Sequence, residues 1–172
     1  MRTRRTDTLS GRKIKPLKTL KGIIAALKKK GKRVVFTNGC FDLLHFGHVM
    51  YLEKAKAKGD ILIVAVNADS SVRRIKGKNR PIVNEKDRAS VVAALESVDY
   101  VVLFKEDTPL KTIQALKPDI LIKGADWNKN NIVGAEFVKR HGGRVATVQL
   151  ARSRSTTNLI RKIARISSVK NN

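Results

Sequence analysis

Cysteine and acidic residues are scarce in this sequence. Cys40 is the only cysteine among 172 residues, which excludes an internal disulfide and fits a reducing cytoplasm. No apolar run approaches the ~18 residues that a membrane span needs, and the basic N-terminus lacks the apolar core of a secretory signal. Neither a GxxxxGK(S/T) nor a GxGxxG pattern occurs, which excludes a kinase-type phosphate loop and a dinucleotide fingerprint. We therefore expect a soluble, cytoplasmic protein without a membrane span.

The excess of basic residues is concentrated at the two ends of the chain. Lysine and arginine number 37 against 14 acidic residues, for a formal net charge of +23. Residues 1–33 contain 13 basic residues and one acid, and residues 150–172 contain six basic residues and no acid, whereas residues 34–149 carry only +5. Such ends could bind nucleic acid in a nonspecific, salt-sensitive way, so a nucleic-acid-binding module is the non-enzyme alternative. We expect no stable nucleic-acid partner.

The chain has the length of one domain, since 172 residues can bury ~70% of their unfolded surface in a single core. Residues 1–12 show no periodicity and are predicted to form a disordered basic arm. Residues 13–172 are predicted to form one domain, which starts with an amphipathic helix at about residues 17–30 that ends at Gly31.

Strand and helix patterns then alternate along the chain. Continuous apolar runs predict buried strands at residues 34–36, 61–67, 100–104, 119–123 and 144–150. Helices are predicted at 49–58, at 85–96 after an Asn84 cap with Val91, Val92 and Leu95 inward, at 109–116 with Pro109 first, at 135–141, and after Ser155. This alternation predicts an α/β fold, a Rossmann-like doubly wound sheet of five parallel strands with helices on both faces. Ligands then bind at the carboxyl ends of the strands.

The loop after the first strand carries a candidate anion site. It contains Gly39, and it leads to His45 and His48, which are predicted to lie on the first turn of the next helix and to face the same way. Backbone N–H groups and the positive end of that helix would face a ligand above the strand. A zinc site is disfavoured, because His141 is the only other histidine and no second cysteine completes a tetrahedral set. We predict no dedicated metal ligands.

Two segments resemble the HxGH nucleotidylyltransferase superfamily, also called cytidylyltransferase-like. Residues 39–42 (GCFD) and 45–48 (HFGH) resemble its HxGH signature, and residues 155–160 (STTNLI) resemble its second nucleotide-binding signature. Segments 67–81, 98–102 and 121–127 between them are most similar to the D-glycero-β-D-manno-heptose 1-phosphate adenylyltransferases, which make ADP-heptose. Trp127 departs from the tyrosine of those enzymes and resembles glycerol 3-phosphate cytidylyltransferases. The latter activity and FMN adenylyl transfer are the enzyme alternatives.

The resemblance implies transfer of AMP from ATP to the sugar phosphate, Mg²⁺ bound mainly through the nucleotide, and a homodimer with a contact near Glu85. A separate sugar kinase would have to supply heptose 1-phosphate. The implied catalytic residues are His45, His48, Lys76 and Arg152. The implied nucleotide-binding residues are Thr37, Asn38, Gly39, Cys40, Phe41, Gly47, Lys123, Gly124, Asp126, Ser155, Thr156 and Thr157. The implied acceptor-binding residues are Asp42, Asn67 and Arg80. Two alternatives stay open. Ser155 could cap its helix without binding a phosphate, and Asp42 could start the helix after the first strand without binding the acceptor.

Overall fold

The computed structural model of the protein describes residues 8–125, 132–149 and 156–169. These residues contain five strands, β1 Val34–Gly39, β2 Ile61–Asn67, β3 Tyr100–Phe104, β4 Ile120–Gly124 and β5 Arg144–Val148. They also contain eight helices, α1 Leu9–Lys13, α2 Leu17–Lys29, α3 Phe46–Lys56, α4 Asp69–Lys76, α5 Glu85–Ala94, α6 Leu110–Leu116, α7 Ala135–Arg140 and α8 Thr156–Val169.

The strands are all parallel and lie in the order β3-β2-β1-β4-β5. Val35 of β1 pairs with Leu62 of β2 on one side and with Ile120 of β4 on the other. The chain first winds from β1 toward β3 and then crosses back to β4, so the winding direction reverses beside β1. Such a switch point leaves a crevice at the carboxyl ends of the central strands. The predicted doubly wound sheet of five parallel strands is confirmed.

Apolar layers cover both faces of the sheet, because successive residues of a buried strand point to opposite faces. Val35 belongs to one layer, which includes Leu52 of α3 and Val92 of α5. Val34 and Phe36 belong to the other layer, which also contains buried side chains of α2, α6 and α7. Helices therefore pack on both faces, as predicted.

The N-terminal segment differs from its prediction. Residues 8–12 were expected to belong to a disordered arm, but Thr8 caps α1, and its hydroxyl accepts a hydrogen bond from the N–H of Gly11 at 3.0 Å. Lys13 Nζ donates to the carbonyl of Leu95 at 3.0 Å, and Ile14 forms a parallel bridge with Val101 at the edge of the sheet. Tertiary contacts thus order a segment that has no periodicity of its own. The rest of the predicted arm, residues 1–7, lies outside the described residues.

The helix boundaries agree with the sequence patterns to within a few residues. Asn84 caps α5 as predicted, accepting hydrogen bonds from the N–H groups of residues 86 and 87. Val91 was predicted to point inward but is half exposed, because Arg88 and Val92 occupy the inner positions of α5. Pro109 precedes α6 as its cap instead of being its first residue. None of the described helices is long and apolar enough to cross a membrane.

Candidate active site

A cleft of about 560 Å³ opens at the carboxyl ends of β1, β2 and β4, at the switch point of the sheet. Its lining residues are Asn38, Gly39, Cys40, Phe41, Asp42, His45, Gly47, His48, Tyr51, Asn67, Ile75, Lys76, Arg80, Asp107, Thr108, Pro109, Lys123, Gly124, Val133, Thr156 and Thr157. Most of the predicted site residues are in this set. A more open groove of about 620 Å³ lies at the starts of α4 and α5 but contains no residue of either signature.

The two signatures meet in this cleft although more than 100 residues separate them in the chain. Thr156 Oγ1 donates to the carbonyl of Leu43 at 3.1 Å, which ties the start of α8 to the segment before α3. Thr156 and Thr157 therefore line the same space as His45 and His48. This geometry agrees with the prediction that ligands bind at the carboxyl ends of the strands.

The β1–α3 loop, residues 40–45, has an unusual backbone. Phe41 adopts a left-handed conformation with φ of 47°, which is uncommon for a residue with a side chain. Its ring is buried and covers Gly39, where an added Cβ would lie 2.9 Å from the ring. Gly39 is thus required by the close approach of Phe41, and the two residues shape the floor of the cleft together.

The two histidines form a stacked pair at the start of α3. His45 was predicted to lie on the first turn of α3 but is its N-cap, one residue before the helix begins. The ring centroids of His45 and His48 lie 4.0 Å apart. The backbone N–H of His45 donates to His48 Nδ1 at 3.4 Å. Burial, reinforced by the charge of His45, lowers the pKa of His48 from 6.5 to about 4. His48 is therefore neutral at pH 7, and because Nδ1 accepts, its proton is on Nε2.

Lys123 joins the two strands that flank the switch point. It is 8% exposed, and its Nζ at the end of β4 donates to Asn38 Oδ1 at the end of β1 over 2.6 Å. Thr37, one residue before Asn38, is fully buried and does not line the cleft. Its hydroxyl lies 2.7 Å from the Tyr51 hydroxyl, so its side chain supports the floor, and its role in nucleotide binding stays a prediction.

The carboxylate of Asp42 already accepts hydrogen bonds from other residues of the protein. One of its oxygens accepts from Arg80 Nε at 2.6 Å, and its carboxylate accepts the N–H groups of Ile82 at 2.8 Å and Val83 at 2.9 Å. Burial alone would raise the pKa of Asp42, but the hydrogen bonds from Val83, Ile82 and Arg80 outweigh burial and lower it. Asp42 thus holds the α4–α5 loop, residues 77–84, against the β1–α3 loop. These contacts support a tethering role more directly than the predicted acceptor-binding role.

The remaining predicted residues stand at the edges of the cleft. Lys76 is exposed at the end of α4, and its side chain makes no hydrogen bond or ion pair with the described residues. Asn67 is buried, and its amide donates to Ser71 Oγ at 3.0 Å.

Burial raises the pKa of the Cys40 thiol although Lys76 and Arg88 lower it, so the thiol stays protonated at neutral pH. Asp126, Arg152 and Ser155, together with Trp127, lie outside the described residues.

Two residues of the site escaped sequence reasoning. Tyr51 lines the cleft, and its hydroxyl donates to the carbonyl of Ile122 at 3.3 Å. Its spacing of three residues from His48 is the signal that could have found it. Arg88 is 1% exposed beneath the cleft, and its position four residues before buried Val92 places it on the inner face of α5.

The described residues contain no group of three or more His, Cys, Asp or Glu side chains that could hold a metal ion. The donors that face the cleft are imidazoles, ammonium groups and amides, which suit an anionic ligand.

Comparisons with known proteins agree with this site. A family model described as cytidylyltransferase-like matches residues 36–162. A protein named "Bifunctional protein HldE" from Geobacter metallireducens is 55% identical over 156 residues, which are 91% of this chain and 32% of that protein. Its namesake from Citrifermentans bemidjiense is 56% identical over 154 residues, 90% of this chain and 32% of that protein. This chain thus spans about a third of the length of these curated relatives.

Solved structures give the same fold. A lipopolysaccharide core biosynthesis protein from Thermoplasma volcanium is 33% identical with a TM-score of 0.60, and the match covers 72% of this chain and 100% of that one. A pantoate-β-alanine ligase from Francisella tularensis is 17% identical with a TM-score of 0.58, over 81% of this chain and 67% of that one. The second likeness concerns the fold alone.

Proposed function

Because the chain belongs to the cytidylyltransferase-like family, we propose that it transfers AMP from ATP to D-glycero-β-D-manno-heptose 1-phosphate. A phosphate oxygen of the sugar phosphate attacks the α-phosphorus of ATP. The bond from that phosphorus to the bridging oxygen breaks, and pyrophosphate leaves with the electron pair. The products are ADP-heptose and pyrophosphate.

The observation that carries this proposal is the meeting of the two signatures in one cleft at the switch point. His45 and His48 lie on one side of the space, and Thr156 and Thr157 lie where the start of α8 borders it. A triphosphate needs donors along its whole length, and two helix N-termini with hydroxyl and imidazole groups supply them.

The chemistry requires alignment and charge stabilisation more than proton removal. The second pKa of a phosphate monoester is ~6, so the attacking oxygen is already ionised at neutral pH. Catalysis then consists of positioning two anions in line and stabilising the charge that develops on the transferring group and the leaving pyrophosphate. Neutral His48 suits this task, because its Nε2–H donates without taking up a proton.

The cations of the cleft support binding of the phosphates. Lys123 is held by Asn38 at the floor, whereas Lys76 is exposed at the rim. In this proposal Lys123 contacts the nucleotide phosphates and Lys76 closes over the triphosphate. Arg152 and Ser155 remain predicted ligands of the leaving pyrophosphate.

Mg²⁺ is proposed to enter with the nucleotide. The donor set of the described cleft is poor in free carboxylates, since the carboxylate of Asp42 is occupied by Arg80 and two backbone N–H groups. Oxygen ligands would come mainly from the triphosphate and water. When bound, Mg²⁺ supplies charge neutralisation between the phosphates.

The heptose acceptor is supported by the relatives. Proteins named bifunctional, about 55% identical to this chain, match it over only a third of their own length. The Thermoplasma protein, which this chain covers completely, is titled a lipopolysaccharide core biosynthesis protein. We propose that a sugar kinase activity supplies the heptose 1-phosphate.

A homodimer in the cytoplasm completes the proposal. Two apolar side chains in this region are half exposed or more, Ile82 of the α4–α5 loop at 57% and Val91 of α5 at 50%. Exposed apolar side chains can contribute to a contact with a second copy, and the resemblance implies a dimer contact near Glu85.

Pyrophosphate release in the presence of Mg²⁺ tests the proposal. ATP and CTP are each offered heptose 1-phosphate, glycerol 3-phosphate or FMN. We expect release only with ATP and heptose 1-phosphate, and its loss in His48→Ala. Release with CTP and glycerol 3-phosphate would keep the chemistry and replace the substrate, as Trp127 allows. No release in any pairing, together with salt-sensitive binding to nucleic acid, would favour the binding-module alternative.

A further inference from the structure

Arg88 is the most buried charged side chain among the described residues. Its guanidinium donates to four acceptors in four segments, with Nε to Val83 O at 2.8 Å, Nη1 to Cys40 O, and Nη2 to Asn67 O at 2.7 Å and to Asp69 Oδ1 at 2.8 Å. Four of its five N–H groups are therefore used. A lysine offers a single point of attachment and could not hold four acceptors that lie in different directions.

The acceptors belong to the segments that border the cleft. Cys40 and Asn67 line it at the ends of β1 and β2, and Asp69 begins the helix that ends at Lys76. Val83 connects to the same network, since its N–H donates to Asp42 at 2.9 Å while its carbonyl accepts from Arg88. One guanidinium thus joins both loops and the end of β2 beneath the candidate active site.

The bond to Cys40 also determines the direction of the next peptide group. In a trans peptide the C=O and the following N–H point in opposite directions. The Cys40 carbonyl points to Arg88, so the Phe41 N–H points away from the guanidinium. Phe41 holds a left-handed backbone that persists only where surrounding contacts impose it, and the bond to Cys40 is such a contact.

We propose that Arg88 is a positioning residue for nucleotidyl transfer, which holds the β1–α3 loop, the end of β2 and the α4–α5 loop in their reactive arrangement. The inference rests on the proposed function for its effect on catalysis. Its effect on the loop itself does not, because Cys40, as the only cysteine, reports the loop directly.

The test compares Arg88→Lys, Arg88→Met and Asp69→Asn with wild type and with Ile24→Ala. Ile24 is buried in the opposite apolar layer, so its variant loses stability without touching the cleft. Each protein is checked by circular dichroism and thermal melting, and kcat and KM are measured for ATP and the sugar phosphate. The reaction of Cys40 with a neutral disulfide reagent is followed from pH 7 to 10, which separates access to the thiol from its ionisation.

We expect Arg88→Lys to fold and to lose ~10–100-fold in kcat, because small misplacements of reacting groups have effects of that size. Its plateau rate of thiol reaction should rise several-fold, and Arg88→Met should show larger changes in both measurements. Ile24→Ala should melt at a lower temperature with kcat and the thiol rate unchanged. Asp69→Asn keeps the guanidinium and should give an intermediate result even if both Arg88 variants fail to fold.

Folded Arg88 or Asp69 variants with kcat and thiol rate within about twofold of wild type would overturn the inference and leave Arg88 a role in stability alone. If wild type transfers no nucleotide to any acceptor while the thiol rates change as expected, the proposed function fails and the positioning of the loop stands.

Discussion

The β1–α3 loop and the α4–α5 loop border the same cleft but present opposite kinds of donor. On the side of the β1–α3 loop, the first turn of α3 offers His48, which is neutral, partly buried and aligned by the backbone N–H of His45. The side of the α4–α5 loop offers Lys76, exposed and charged, and Arg80, which already pairs with Asp42. A neutral donor has to be placed accurately to contribute, whereas a cation attracts phosphate over a longer distance and tolerates exposure.

This difference indicates a division of labour. The side of His48 is suited to stabilise the transition state, and the side of Lys76 is suited to capture the substrates. Asp42 and Arg88 connect the two, so a change in either should disturb both sides at once.

The largest effect should come from the loss of His48. His48→Ala removes an aligned donor, and we expect kcat to fall ~10²–10³-fold, the usual result of deleting one such donor. Steady-state pyrophosphate release measures it. His141→Ala is the matched control, because His141 is exposed and contacts Phe137 on α7, away from the cleft. Equal losses in the two variants would contradict the assignment.

Asp42, which joins the two loops, should contribute to stability. Asp42→Asn removes the buried negative charge that pairs with Arg80. We expect the free energy of unfolding to fall by ~2–4 kcal/mol. Asp107→Asn is the comparison, since the ion pair of Asp107 with Arg74 is exposed and should contribute below ~1 kcal/mol. Urea unfolding distinguishes the two. A smaller loss for Asp42→Asn than for Asp107→Asn would mean that Asp42 is no tether.

The exposed side should act through binding. Lys76→Ala should raise the KM for ATP ~10-fold with a much smaller change in kcat, because an exposed cation contributes mainly to substrate capture. The effect should shrink at high salt. Lys78→Ala, an exposed lysine of the α4–α5 loop that does not line the cleft, serves as control. If Lys76→Ala lowered kcat more than it raised KM, Lys76 would be a donor to the transition state and not a residue for substrate capture.

The last and most gradual effect is a pH dependence of stability. The folded pKa of His48 is about 4 and its ordinary value is 6.5, so between these values the unfolded chain binds a proton that the folded protein does not. Its contribution is fully present above pH 6.5 and is lost as the pH falls toward 4. The slope is at most ~1.4 kcal/mol per pH unit, less because the ring is partly exposed. His48→Gln should flatten the stability curve in this window, and identical curves would contradict the pKa assignment.

Much of the site could be predicted because its residues carry local signals. Gly39, His45 and His48 are recognisable from their spacing after a buried strand. Arg88 has no such signal in a basic sequence, since 37 lysines and arginines look alike until one of them is buried. Asp42 likewise cannot be told from a solvent-exposed aspartate without knowledge of residues 80–83, which approach it only in the folded chain.

The sequence by itself determined the alternation of strands and helices, the Asn84 cap and the two signatures, because apolar periodicity and cap chemistry act between neighbours in the chain. The tertiary structure alone decided which strand lies beside which, that Thr37 supports the floor while Asn38 faces the cleft, and that residues 8–12 are ordered. It also decided the neutrality of His48. Burial, pairing across the sheet and pKa shifts depend on residues far apart in the chain, which only folding brings together.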